Sequence, residues 1–163
     1  MKRLLVLPVL LLSLFVGNPT SSADFQKGLN AAQRGDFATA LREFRPLAEQ
    51  GHVDAQHKLG WMYDEGLGVP KDYKTEVKWY TLAVEQGYAK SQHNMGAMYG
   101  EGRGFPKNYK TAVKWFTLAA EQGYGKSQYN LGVMYDKGWG VPRDDVYAHM
   151  WLALIHISEP TRP

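Results

Sequence analysis

The chain has 163 residues, of which 44% are hydrophobic and 21% charged, and both fractions are typical of a globular protein. This length accommodates one domain of ordinary size. The sequence contains no cysteine, which excludes disulfide frameworks, thiolate metal sites and cysteine nucleophiles.

The first 23 residues are predicted to be a secretory signal peptide. Lys2 and Arg3 precede an apolar run over residues 4–16, and small residues follow up to Ala23. The run is too short to span a bilayer comfortably, so we expect no membrane span after cleavage. The formal charge of the whole chain is +3, but cleavage would leave 17 basic and 16 acidic side chains. A protein so close to neutral is not expected to bind nucleic acid. We predict a periplasmic or secreted protein.

Most of the remaining chain repeats itself with a period of 36 residues. Residues 48–83 and 84–119 are identical at 22 of 36 positions, and residues 84–119 and 120–155 at 17 of 36. A period of this length is typical of stacked helical units. Residues 24–47 predict a divergent leading helix pair, and residues 156–163 fit no repeat.

Each unit predicts two helices joined by a glycine-rich turn. The first helix has apolar residues at spacings of three and four, and the second begins near a capping residue such as Asp72. Glycine recurs in the middle of the first helix, where it lowers helix stability, at Gly60, Gly96 and Gly132. This recurrence predicts a close approach of the second helix.

The repeated motif resembles the Sel-one-like repeat (SLR), a relative of the tetratricopeptide repeat. The pattern over residues 48–155 is Ala-x-x-x-Leu-Gly-x-x-Tyr-x-x-Gly-x-Gly-Val, then Asp-x-x-x-Ala-x-x-Trp, then Ala-Glu-Gln-Gly. The resemblance implies an all-α fold, a right-handed α-solenoid of helix-turn-helix units used mainly to bind and scaffold other proteins. Residues 24–47 look more like an ordinary tetratricopeptide unit.

Glu76 departs from the family pattern, which has alanine there, as Ala112 and Ala148 do in the next two units. Two arrangements stay open. The carboxylate is buried with a partner, or a rotation of the helix exposes it. We favour exposure and expect Glu76→Ala to raise the melting temperature.

The last predicted helix has an apolar face that no later repeat covers, formed by Met150, Trp151, Leu152, Leu154 and Ile155. Solenoid ends normally carry a polar cap. Three interpretations of residues 156–163 stay open: an artefact of the gene model, a disordered tail, or a dimer contact. Self-association through the uncapped C-terminal helix is therefore one interpretation of this face.

No motif predicts catalysis, a metal or a cofactor. The glycine-rich segment at residues 66–71 follows a helix and recurs in every unit, which favours a turn over a phosphate loop. His57 and His93 stand in adjacent units, too far apart across packed helices to share one zinc ion. We expect two partly exposed surface imidazoles, and we predict a non-catalytic protein without a cofactor.

A basic stripe follows the second helices, formed by Lys71, Lys74 and Lys78 and by Lys107, Lys110 and Lys114. We expect a solvated convex face here rather than a site for an anionic polymer.

The first helices of such repeats line the concave surface, so their variable positions are the predicted partner contacts. These positions are His57, Lys58, Trp61, Asp64, His93, Asn94, Ala97, Gly100, Tyr129, Asn130, Val133 and Asp136. Trp61, which Ala97 and Val133 replace in later units, is either an anchoring residue for a partner or part of the local core.

The predicted function is an exported, non-catalytic repeat scaffold that binds an unidentified protein or peptide segment. Two alternatives stay open. One is a periplasmic cell-wall or carbohydrate-active factor, an enzyme or its helper. The other is a fragment of a larger multidomain repeat protein.

Overall fold

The computed structural model describes residues 19–158, with side chains over residues 21–154. This part of the chain forms eight α-helices: α1 (Pro19–Gln33), α2 (Phe37–Glu49), α3 (Val53–Glu65), α4 (Tyr73–Glu85), α5 (Ala89–Glu101), α6 (Tyr109–Glu121), α7 (Gly125–Lys137) and α8 (Asp145–Ser158). Each helix packs mainly on its neighbours in the chain. The result is the all-α solenoid of stacked helix pairs that the sequence predicts. We call α3–α4, α5–α6 and α7–α8 repeats 1, 2 and 3.

Local signals set the ends of the helices. Asp72, Asn108 and Asp144 each accept a hydrogen bond at 3.0 Å from a backbone N–H two or three residues later, which confirms the predicted caps of the second helices. The first helices of the three repeats end at glycines with left-handed backbone, Gly66, Gly102 and Gly138.

A glycine of the first helix contacts a ring of the second helix in repeats 1 and 2. A Cβ atom at Gly60 would lie 2.5 Å from the ring of Tyr80, and one at Gly96 would lie 2.7 Å from the ring of Phe116. In repeat 3, a Cβ at Gly132 would lie 2.7 Å from Leu152. The predicted close approach is therefore confirmed.

The leading pair α1–α2 has the same contact, since a Cβ at Gly28 would lie 2.5 Å from the ring of Phe44. The turn between these helices occupies residues 34–36, whereas the turn in repeat 1 occupies residues 66–72. Because the two turns differ in length, Gly28 does not align with Gly60 when the sequence is compared with itself at a period of 36 residues. Of the predicted signal peptide, residues 1–18 lie outside the described residues, and residues 19–23 belong to α1.

The apolar side chains of α8 do not form one uncovered face, which corrects the prediction. Leu152 and Trp151 are half-buried, and they pack on Gly132 and on the core between α6 and α7. Val146 and Met150 are exposed, at positions that lysines occupy in repeats 1 and 2. The side chain of Ile155 lies outside the described residues. Helix α8 continues to Ser158, three residues into the predicted tail, and residues 159–163 are outside the described range.

None of the helices in the described range is long and apolar enough to span a membrane.

The variant Gly96→Ala should destabilise the protein by about 1–3 kcal/mol, because the added methyl group overlaps the ring of Phe116. This loss opposes the gain of roughly 1 kcal/mol that alanine brings to a helix interior. Urea unfolding followed by circular dichroism measures the difference.

Gly100→Ala is the matched control. It lies one turn later in α5, and its new Cβ would lie at an ordinary 3.6 Å from the Cβ of Ala112. We expect this variant to be as stable as the wild type or slightly more stable. Equal stabilisation of both variants would show that the ring contact does not set the distance between the helices.

Candidate functional site

The predicted contact residues lie on α3, α5 and α7, at the same four positions of each helix. All are half-buried except Tyr129, which is 55% exposed. We call the surface that these residues form the first-helix surface. We also call the interface between repeats 1 and 2 the first junction, and that between repeats 2 and 3 the second junction.

The two histidines connect neighbouring repeats. Nδ1 of His57 lies 3.0 Å from Oγ of Ser91, and Nδ1 of His93 lies 2.9 Å from Oγ of Ser127. Burial lowers the pKa of each imidazole to about 4, so both rings are neutral at pH 7. The rings are half-buried, as predicted, but they belong to the junctions instead of standing on a free surface. Within the described range, no group of three His, Cys, Asp or Glu side chains is placed to hold a metal ion.

Trp61 borders the core cluster that includes Leu59 and Met62, and it remains half-buried. The ammonium of Lys58 lies 5.5 Å from the centre of the Trp61 ring. This position is compatible with both predicted roles, because one part of the ring packs inward and another part is accessible.

An arginine from the turn of repeat 2 closes the first junction. Nη1 of Arg103 lies 2.5 Å from Oδ1 of Asp64 and 3.5 Å from Oε1 of Glu76, both in repeat 1. Its Nε donates to Oε2 of Glu101 at 2.7 Å. One guanidinium therefore bridges three carboxylates and ties repeat 2 to repeat 1.

Glu76 is fully buried, so the expectation that it is exposed was wrong. Helix α4 keeps this position inward, as the buried Ala112 and Ala148 do in the later repeats. Burial raises the pKa of the Glu76 carboxyl to about 7, the nearby Asp64 adds to the shift, and Arg103 opposes it. Its Oε2 has no hydrogen-bond partner among the described residues.

The second junction contains an open pocket at the position that Arg103 fills in the first. The pocket has a volume of about 420 Å³, and its lining includes Ala97, Gly100, Asn130 and Val133, which belong to the predicted contacts. The other residues of the lining are Glu101, Lys107, Tyr109, Phe116, Met134 and Trp139. The first-helix surface therefore contains this pocket between α5 and α7.

The pocket is open because residues differ at equivalent positions, 36 residues apart. Gly100 and Ala112 stand where Asp64 and Glu76 stand in repeat 1, and Trp139 replaces Arg103. The indole ring of Trp139 stacks on Tyr109, with 5.2 Å between centroids and 9° between planes.

Neither Arg103 nor Trp139 is among the predicted site residues, because both lie in a glycine-rich segment whose sequence is typical of a turn. The available signal was the variable residue between two invariant glycines, which is Leu67, Arg103 or Trp139 in the three repeats. A position that varies this much inside a fixed turn suggests a contact beyond the turn itself.

All six lysines of the basic stripe are exposed. The first and last of these are Lys71 and Lys114, on the turn of repeat 1 and on α6. This arrangement agrees with the expected solvated face.

Glu76→Gln should stabilise the protein increasingly as the pH rises. The pKa of Glu76 lies near 7 in the folded protein against an ordinary value of 4.5 for glutamate, so the folded state retains a proton between these values and loses stability as pH increases. From pH 5 to pH 8 the wild type should lose roughly 2 kcal/mol relative to the variant. Urea unfolding at several pH values measures this difference, and glutamine keeps the packing volume that alanine would remove.

Glu121→Gln, at an exposed position of α6, is the control. Its difference from the wild type should stay constant over the same pH range. A Glu76→Gln difference that is equally constant would contradict a raised pKa at this carboxyl.

The chain matches a protein-family model, the Sel1 repeat, three times in succession. The matches cover residues 53–88, 89–124 and 125–154, and they begin at the first residues of α3, α5 and α7. A comparison with curated proteins gives no match. Sel1 repeats are generally protein-interaction scaffolds and are typically non-catalytic.

Two similar solved structures come from bacteria. One is c5321, described as a protective antigen present in uropathogenic Escherichia coli strains displaying an SLR fold, with 38% identity and a TM-score of 0.80 over 86% of this chain. The other is a Sel1 repeat protein from Oxalobacter formigenes, with 32% identity and a TM-score of 0.79 over 84% of this chain. The present chain spans 31% of the first protein and 56% of the second, less than two thirds of either. Since the family matches run without a gap from residue 53 to residue 154, the chain belongs to the Sel1 repeat family.

Proposed function

We propose that this chain is an exported, non-catalytic scaffold that binds a segment of a partner protein on its first-helix surface. The pocket of about 420 Å³ at the second junction carries the proposal. Pockets of this size, with mostly apolar walls and few polar groups, are typical of binding sites. The general role of Sel1 repeats in protein interaction supports the same conclusion.

The contact residues fall into two groups under this proposal. His57, His93 and Asp64 are engaged inside the junctions and hold the surface in shape. The groups that face a partner are Lys58, Trp61, Asn94, Ala97, Gly100, Tyr129, Asn130, Val133 and Asp136. Because His57, His93 and Asp64 are already held by contacts within the chain, these three side chains lose little conformational entropy when the partner docks.

Export is proposed from the sequence of residues 1–23, which has the layout of a signal peptide. Its removal would place the scaffold in the periplasm or outside the cell. The partner would then be an exported or surface protein, or another copy of this chain.

A photo-crosslinking residue placed on the first-helix surface should capture the partner in the source cells. Benzoylphenylalanine at Tyr129, an exposed aromatic position on α7, is expected to give a light-dependent adduct of higher mass on a gel. The same residue at Leu118, which is 44% exposed on α6 in line with Lys110 and Lys114, is the matched control. An adduct from Leu118 in the absence of one from Tyr129 would place the binding surface on the second helices.

Intact-mass measurement of the protein from its source cells tests export. We expect residues 1–23 to be missing, a loss of roughly 2.5 kDa, because cleavage is predicted after Ala23. Retention of Met1 would contradict the proposal that the scaffold acts outside the cytoplasm, without affecting the binding surface.

A further inference from the structure

We infer that the pocket at the second junction binds a large apolar side chain of a peptide that carries a carboxylate beside it. Trp139 and Tyr109 would hold the apolar side chain, Asn130 the peptide backbone and Lys107 the carboxylate. The inference rests on the proposed function and specifies the chemistry of its partner.

The walls of the pocket select an apolar side chain. Six of its residues present carbon to the cavity: Ala97, Tyr109, Phe116, Val133, Met134 and Trp139. Trp139 remains 43% exposed although one face of its ring lies on Tyr109. Burial of an exposed indole ring against an apolar partner is a common source of binding energy at interfaces.

The first junction shows what this pocket lacks. There, Asp64 and Glu76 form an acidic floor that a guanidinium covers from within the chain. In the second junction Gly100 and Ala112 replace both acids. The second pocket therefore offers no buried carboxylate to a cationic side chain, and a basic residue that entered it would lose its hydration without gaining a counterion.

Asn130 provides polar atoms without a partner. Asn130 lines the pocket, and its side chain makes no hydrogen bond to any described residue. Its amide can therefore both donate to and accept from a peptide group of the partner.

Lys107 gives the rim of the pocket a positive charge. Its ammonium lies 4.7 Å from the centre of the Tyr109 ring, and it makes no ion pair with any described residue. Glu101, the acidic residue of the lining, is already paired with Arg103. A carboxylate beside the anchoring side chain would supply the missing counterion at an accessible position.

A random dodecapeptide library displayed on phage, selected on the wild-type chain, tests the inference. We expect the enriched peptides to share a large apolar residue with Asp or Glu within two positions. A synthetic peptide of that sequence is then titrated against variants by calorimetry. Trp139→Ala and Lys107→Glu should each weaken its binding about tenfold or more.

The equivalent position at the first junction provides a matched control. Lys71→Glu mirrors Lys107→Glu. We expect this control variant to bind the peptide within about twofold of the wild type. Lys107 and Trp139 are exposed, so circular dichroism should show that their variants remain folded.

Three outcomes would overturn the inference. The first is that the selection enriches basic peptides or no peptide at all. The second is that Lys107→Glu and Lys71→Glu weaken peptide binding equally. The third is that Trp139→Ala binds the peptide as tightly as the wild type does. If the selected peptides instead lose binding with Trp61→Ala, the inference fails while the proposed scaffold function stands. If neither set of variants affects binding but changes on the second helices do, both fail.

Discussion

The contact between a first-helix glycine and a second-helix side chain is the constraint on which the rest of this solenoid depends. A methyl group would not fit at Gly28, Gly60, Gly96 or Gly132, so in each pair the second helix lies directly on the backbone of the first. This distance also places the turn that joins the two helices. The second glycine of each turn then meets the second helix of the preceding pair: Gly68 lies on Phe37, Gly104 on Tyr73 and Gly140 on Tyr109. The residue between the two turn glycines therefore lies at the interface with the preceding helix pair.

This geometry makes one turn position decisive for the chemistry of each junction. Leu67, Arg103 and Trp139 reach the preceding helix pair by the same route. The chemistry of a junction depends on the side chains that the turn residue contacts. These side chains are acidic in repeat 1 and small in repeat 2. Arg103 finds carboxylates and closes its junction, whereas Trp139 finds glycine and alanine and leaves a cavity. Neighbouring sites of one scaffold thus differ in chemistry although α3, α5 and α7 each have 13 residues and end at an equivalent glycine.

The repeat made most of the fold predictable, because helix ends, caps and the glycine contact are local features that recur every 36 residues. What the sequence did not reveal depended on contacts between units. Glu76 was expected to be exposed because a lone carboxylate is costly to bury, and its partner Arg103 lies 27 residues away. The histidines read as surface residues because their serine partners lie 34 residues away in the next repeat. The rows of candidate contacts were predictable, but the pocket among them required the position of Trp139.

Polar links within and between repeats bear on how the pocket recognises its partner. Within repeats 1 and 2, Gln86 donates to Oε1 of Gln56, and Gln122 donates to Oε1 of Gln92, both at 2.8 Å. In the next unit Ser158 stands where these donors stand, and Oε1 of Gln128 has no hydrogen-bond partner among the described residues. Across the junctions, His57 reaches Ser91 of repeat 2, and His93 reaches Ser127 of repeat 3. Both junctions carry these links, so a difference in rigidity does not account for one being open and the other closed. The side chains that differ at equivalent positions remain as the cause: Ala97 in place of Trp61, Gly100 and Ala112 in place of Asp64 and Glu76, and Trp139 in place of Arg103. Partner selection at this surface is therefore a matter of a few substitutions.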